Sequence, residues 1–247
     1  MVDGRAAAAR LRRRAGIPDD CPADLRRLLP RLHPVGCLEM PALSVAQVRA
    51  WLGRRSAACT GAIADIPDRP LRGAVVASRG CGLIFLDAGD PEEELRFTYA
   101  HEGYHYLGNH LFPREDAVER VGPAIQAVLN GDRLPTPEEE VRTALRGLCL
   151  AGHVHLLERG TDPPAEALAA ELEADLFAAE LLAPSALLAR RFPDACDCPE
   201  DLERLTIHLE HCLGLPSDQA RVAALRFLHQ HATVGPLGVR ILRGCST

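Results

Sequence analysis

His101-Glu102-Gly103-Tyr104-His105 is the stretch of this chain whose residue types and spacing most directly suggest chemistry. On an α-helix advancing about 100° per residue, the two histidines at i and i+4 lie roughly 40° apart on one face. Both imidazoles can then reach one cation, while Glu102 projects beside them toward a water on that cation, as in a zinc hydrolase. Such a site needs a third protein ligand and one position kept open for water. The best candidate ligand lies in Glu171-Leu172-Glu173-Ala174-Asp175. Glu171 and Asp175 share a helix face, whereas Glu173 is about 200° round from Glu171. Glu171 is therefore expected to bind metal. Asp175 is expected to accept the free N–H of a ligand histidine, fixing its tautomer and raising its basicity.

Hydroxide attack on a carbonyl also needs a donor for the developing oxyanion. Tyr104, Tyr106, His110, His153 and His155 are candidates, and Tyr104 ranks first because it lies near the ligand face. The chain has three tyrosines, Tyr99, Tyr104 and Tyr106, and all fall within five residues of His101. Packing around the helix is an equally good reason for them to be there. His153 and His155 stand two apart on an expected helix, hence on different faces. Cys196-x-Cys198, followed by His208, His211 and Cys212, forms a weaker candidate for a second zinc site, with a spacing that matches no common finger.

Two blocks carry a resemblance. Arg96-Phe97-Thr98-Tyr99-Ala100-His101-Glu102-Gly103-Tyr104-His105 and Glu171-Leu172-Glu173-Ala174-Asp175-Leu176-Phe177-Ala178-Ala179-Glu180-Leu181-Leu182-Ala183-Pro184 resemble the ImmA/IrrE-type metallopeptidases, which belong to the gluzincin-like zinc enzymes. The resemblance implies a minimal zincin-like core and a zinc-dependent endopeptidase activity. It assigns Zn²⁺ to His101, His105 and Glu171, and the general base to Glu102. Relatives commonly cleave a repressor protein at a specific site, so the implied partner is a protein or peptide substrate. A peptide natural-product precursor is another substrate consistent with the motif. A contrasting possibility is a catalytically silent regulatory member of the same fold that binds a protein or DNA. The chain departs from the family in two places. Gly103-Tyr104 replaces the usual Leu-Gly, and 65 residues separate His105 from Glu171 where relatives have a short spacing. That insertion is expected to form a lid or a wall that selects substrate.

The elements that must position these residues read as α+β, mainly helical. Residues 5–30 carry a helical pattern broken at Pro18, Pro22 and Pro30, and Ser44 is placed to cap a helix bearing Val45, Val48, Trp51 and Leu52. Two β-favouring runs, Ala74 to Ala77 and Leu83 to Leu86, flank the turn signal Arg79-Gly80-Cys81-Gly82. They predict a small sheet preceding the His-Glu helix. The Leu83–Leu86 strand is the candidate for holding an extended substrate by strand addition. Glu92, Glu93 and Glu94 favour a helix start. Further helices are expected over Ala117–Asn130, from the capping box at Thr136 and Glu139 through about Leu157, and from Asp162 to Leu182. Two more fit Pro199–Leu213 and Ser217–His231. The expected organisation is an N-terminal helical region (1–58), a peptidase core (59–190) with an inserted helical segment at about 109–162, and a C-terminal helical extension (191–247).

Composition narrows the function classes. The chain has 247 residues, 47% of them hydrophobic, which is ample for a buried core. Its net charge is −6, so no general attraction for nucleic acid is expected. The helices meeting at Gly214–Ser217 could be read as a DNA-binding pair, but Asp218, Gln219, Arg221 and Arg226 support that thinly. Packing beneath the site is the better expectation. No apolar run approaches the roughly 20 residues of a membrane span. The basic stretch from Arg5 to Arg14 leads into polar sequence, so no secretory signal is expected. Nine cysteines, an odd number, then suggest reduced thiols and a cytoplasmic protein. All 28 basic residues are arginine, to which no function attaches.

Overall fold

The computed structural model describes residues 2–54, 63–144, 153–160 and 165–234. The chain opens with helices α1 (Gly4–Ala15) and α2 (Leu25–Leu32), strand β1 (Val35–Met40) and helix α3 (Val45–Gly53). A hairpin of β2 (Leu71–Ser78) and β3 (Cys81–Asp87) leads into α4 (Glu92–Tyr106). A π-helical turn (Leu107–Leu111) follows, and then α5 (Phe112–Val121), α6 (Ile125–Leu129) and α7 (Pro137–Ala144). The remaining elements are β4 (His153–Glu158), α8 (Ala165–Leu182), α9 (Ser185–Arg191), α10 (Pro199–His211) and α11 (Ser217–Val234). The architecture is α+β and mainly helical, with one small mixed sheet.

The sheet runs in the order β1-β3-β2-β4, with β1 parallel to β3 and the other pairs antiparallel. Arg79 and Gly80 make the hairpin turn with φ of 53° and 82°, so both central residues are left-handed. A two-residue turn of that hand matches the twist of the strands it joins. Cys81 and Gly82 belong to β3 and not to the turn. Alternate residues face opposite ways, as the two-residue strand period requires. Val75, Ala77, Ile84 and Leu86 join the large core shared with α1, α4, α8, α10 and α11, whereas Ala74, Val76 and Phe85 join a smaller core beneath α3.

The central helix is α4. From Phe97 to Tyr106 every residue is buried, so the helix has no solvent face and is wrapped by the sheet, α2 and α8. Its approach to β2 depends on Gly73. A Cβ there would come within 2.6 Å of Thr98 Cγ2 and 3.3 Å of Glu102 Cγ, so any larger residue would push α4 away.

Several local expectations match. Ser44 accepts a hydrogen bond from the Gln47 N–H and caps α3. Thr136 and Glu139 exchange both bonds of a capping box. Others are corrected. Pro30 lies inside α2 and does not end it. The helix expected over 117–130 starts earlier, at Phe112, and is split at Gly122, whose φ of 105° no helix tolerates. The helix expected to reach Leu157 is instead α7, after which His153–Glu158 pairs with β2 as a strand. Strand β1 has little intrinsic strand signal, being a short run that contains Gly36. Residues 161–164, where Asp162 was expected to open a helix, lie outside the described residues. The first 58 residues are not a region apart, since β1 is part of the sheet and α1 packs on α8 in the main core.

Candidate metal centre

The last two turns of α4 present His101, Glu102 and His105 in the interior, at 3%, 0% and 1% exposure. Helix α8 packs along α4 and delivers Glu171 and Asp175 to the same place. Glu171 Oε2 lies 3.1 Å from His101 Nε2, and Oε1 lies 3.6 Å from His105 Nε2. The two Nε2 atoms are 3.3 Å apart. Asp175 Oδ1 is 2.9 Å from His101 Nδ1, on the far side of the ring. The five residues singled out by motif and spacing therefore meet at one point.

A sixth residue joins them from β4. His155 Nε2 is 2.9 Å from Glu171 Oε1, and its Nδ1 is 3.1 and 3.0 Å from the two oxygens of Glu102. Its ring stacks on His105, with centroids 3.5 Å apart and planes 13° from parallel. Asn109, in the π-helical turn, brings its side-chain amide within 2.9 Å of His105 Nδ1, and a half-turn exchanges the ends of that amide. Each of the three imidazoles thus has its Nδ1 held from outside and its Nε2 turned inward to Glu171. His101, His105, His155 and Glu171 could hold a metal ion. Four ligands about 2.0–2.1 Å from zinc in a tetrahedron would stand roughly 3.3 Å apart, and the donor separations of 2.9–3.6 Å are of that size.

The carboxylates set the charge of these imidazoles. Burial opposes the charged form of His101, but the hydrogen bonds to Asp175 and Glu171 outweigh it and lift its pKa to about 10. His155 shows the same balance: burial lowers its pKa, and Glu102 and Glu171 raise it to about 9. Burial would raise the Glu171 carboxyl, but its bonds to His101 and His155 bring it down to about 2. His105 goes the other way, well below the ordinary value, because burial is joined by repulsion from His155, His101 and His153. The carboxylates gathered here demand positive charge, which a protonated imidazole or a cation supplies equally well.

A cleft of about 530 Å³ opens onto this group, with His101, Glu171 and Asp175 in its wall and Leu168 and Leu172 at its rim. Pro216, Asp218 and Gln219 also line it, so the start of α11 faces the cleft. Ala220, Ala224 and Leu228 of the same helix are buried in the main core.

The expected oxyanion donors fare differently. Tyr104 is corrected, because its hydroxyl donates to the Val2 carbonyl and its ring packs on Phe177. The Tyr106 hydroxyl donates to the Gly80 carbonyl at 2.8 Å, and His110 Nε2 accepts the Gly80 N–H at 3.1 Å. His153 lies beside the group, its ring 6.0 Å from His105, and its buried Nε2 has no hydrogen-bond partner among the described residues. Only His155 stands at the site. Its placement corrects the helical reading of 153–155: on a strand, residues two apart share a face. The alternation His153-Val154-His155-Leu156 was the available signal. For Asn109 the signal was its i+4 spacing from His105.

Strand β3 cannot accept an added strand, since β1 and β2 occupy both its edges. The outer edge of β4, beside the cleft, carries no partner strand among the described residues. The second cysteine-rich group is also rearranged. Cys196 Sγ lies 3.4 Å from Cys198 Sγ and 3.3 Å from Asp201 Oδ2, and these three could hold a metal ion. His208 instead packs edge-on against Phe192, and neither it nor His211 nor Cys212 joins the group. No helix among the described residues is long and apolar enough to cross a membrane. Comparison with models of known families, with curated proteins and with solved structures finds no match to this chain.

Proposed function

We propose that the chain is a zinc-dependent metallo-endopeptidase of ImmA/IrrE type, acting on an extended segment of a protein or peptide. One observation carries the reading: α8 brings Glu171 against His101 and His105 while Asp175 takes the outer nitrogen of His101. Two histidines, one carboxylate and an outer carboxylate form a donor set chemically suited to zinc. A bound zinc ion would supply Lewis acidity, polarising a peptide carbonyl and making water easier to deprotonate near neutral pH.

The chain's own residues do the rest. Glu102, fully buried beside His101 on α4, is the group that accepts the proton of the attacking water and returns it to the leaving amine. Asp175 and Asn109 orient the two α4 histidines. The open edge of β4 can align a substrate backbone by strand addition, with side chains reaching the cleft and its rim of Leu168 and Leu172. A repressor cleaved at one exposed segment is a substrate of this kind.

The test is Glu102→Gln in the full chain, assayed on a mixed peptide library and on candidate repressors. The variant should retain zinc and lose cleavage by about 10²- to 10⁴-fold. Wild-type protein that carries zinc but cleaves nothing, with biological activity unchanged in the variant, would favour a regulatory binding protein instead.

A further inference from the structure

We propose that His155 is a fourth, displaceable ligand of the metal centre, whose departure opens a coordination position and frees Glu102 in one movement. The inference rests on the zinc reading above and adds a resting state to it. Its first support is the pattern of outer partners. Asp175 serves the Nδ1 of His101, Asn109 that of His105, and Glu102 that of His155. A ligand histidine characteristically hands its second ring nitrogen to a carboxylate or amide in this way. Among the three, Glu102 therefore holds the position of an orienting acceptor. Both its oxygens lie within 3.1 Å of one nitrogen, and with no exposed surface it has no other outlet. A carboxylate so engaged is not free to take a proton from water.

The second support is the position of His155 Nε2. It is 2.9 Å from Glu171 Oε1, the oxygen that lies 3.6 Å from His105 Nε2, and belongs to the set whose donor atoms all lie within 4.8 Å of one another. Three histidines and a carboxylate fill a four-coordinate zinc site, which is the closed, structural arrangement and not the open, catalytic one.

The third is the unequal hold on the ligands. His101 and His105 sit on α4, buried on all sides, and Glu171 on α8, packed against it. His155 sits on β4, an edge strand paired only with β2 among the described residues, and every residue of β4 is only half-buried. Imidazole lone pairs lie in the ring plane, so the parallel rings of His105 and His155 cannot both aim at one ion as they stand. Sharing an ion requires them to splay, and the edge strand is the element that can yield. The ligand that must bend to bind is also the one most easily removed. An extended peptide pairing with β4 would act on the strand that carries it.

The test loads the full chain with Co²⁺ and reads its visible absorption while acetohydroxamate, a small metal-binding probe, is added. Wild type should bind one Co²⁺ and change its spectrum little at low millimolar probe. His155→Ala and His155→Asn, checked for folding by thermal melting, should respond fully to the probe. Both should also bind Zn²⁺ about 10- to 100-fold more weakly in competition with a chelator. His153→Ala, on the same strand, should behave as wild type. If wild type takes up the probe as readily as the His155 variants, or all bind zinc alike, His155 is no ligand and the inference is overturned while the zinc reading stands. If none of the proteins binds a metal at the 1:1 level, the zinc reading itself falls, and this inference with it.

Discussion

Two groups of metal-capable side chains lie in this chain, and they differ in how they are held. His101, His105, His155 and Glu171 come from three separate elements, and the two α4 histidines are fully buried where they meet. Each imidazole is fixed from behind by a further side chain. Cys196, Cys198 and Asp201 come from one short stretch at the start of α10, and Cys196 is exposed. There the donors lean on one another: bonds to Cys198 and Asp201 raise the Cys196 thiol to about 11, so the thiolate that a metal requires is disfavoured. Proximity of donors is common to both groups. Burial together with an orienting outer partner is confined to the first, and it is what makes a site selective and tight.

Removing a donor held on α4 or α8 should have the largest effect. His101→Ala is expected to lower zinc affinity roughly a thousandfold or more, measured by chelator competition. Removing only an outer partner should cost less. Asp175→Ala should weaken zinc about 10- to 100-fold, and Asn109→Ala about tenfold, without changing the ligands themselves. Equal losses in His101→Ala and the outer-partner variants would mean that the outer bonds do not work through the histidines.

A histidine with no carboxylate beside it offers the contrast in charge. Burial, helped by Arg114 and His153, holds His110 down to about 4, and its Nε2 must stay neutral to accept the Gly80 N–H. Its folded pKa is below the ordinary value near 6.5. As pH falls below about 6.5 the unfolded chain takes the proton first, so this contribution is present above that pH and is lost toward pH 4. Between pH 7 and pH 5 it should amount to about 2 kcal/mol. Urea denaturation at the two pH values should show a smaller difference in His110→Gln than in wild type. The smallest effect is expected at the exposed group. Cys196→Ser with Cys198→Ser should leave the tightly held zinc unchanged and remove only binding that a weak chelator already strips.

The two groups also differ in how far sequence reveals them. His101, His105, Glu171 and Asp175 were legible because each pair is separated by one helical turn, and a helix converts such spacing directly into a shared face. His155 is less so, because the alternation His153-Val154-His155-Leu156 is short and its strand pairs with β2, some 80 positions earlier. Strand β1 escaped for the same reason, since its partner is β3. For Tyr104 the helix position follows from the sequence, but the fate of its hydroxyl depends on Val2, about a hundred residues away. The hairpin and the caps of α3 and α7 depend on neighbours a few residues apart, and they were read nearly as they stand.

The most direct test compares the zinc content of purified wild type, Glu171→Ala and Glu173→Ala. Glu173 lies two residues along α8 from Glu171, but its carboxylate accepts the Gly4 N–H at 2.6 Å and docks α1. One zinc per chain is expected in wild type and in Glu173→Ala, and almost none in Glu171→Ala. Retention of zinc by Glu171→Ala, or its loss from Glu173→Ala alone, would contradict the assignment of the centre.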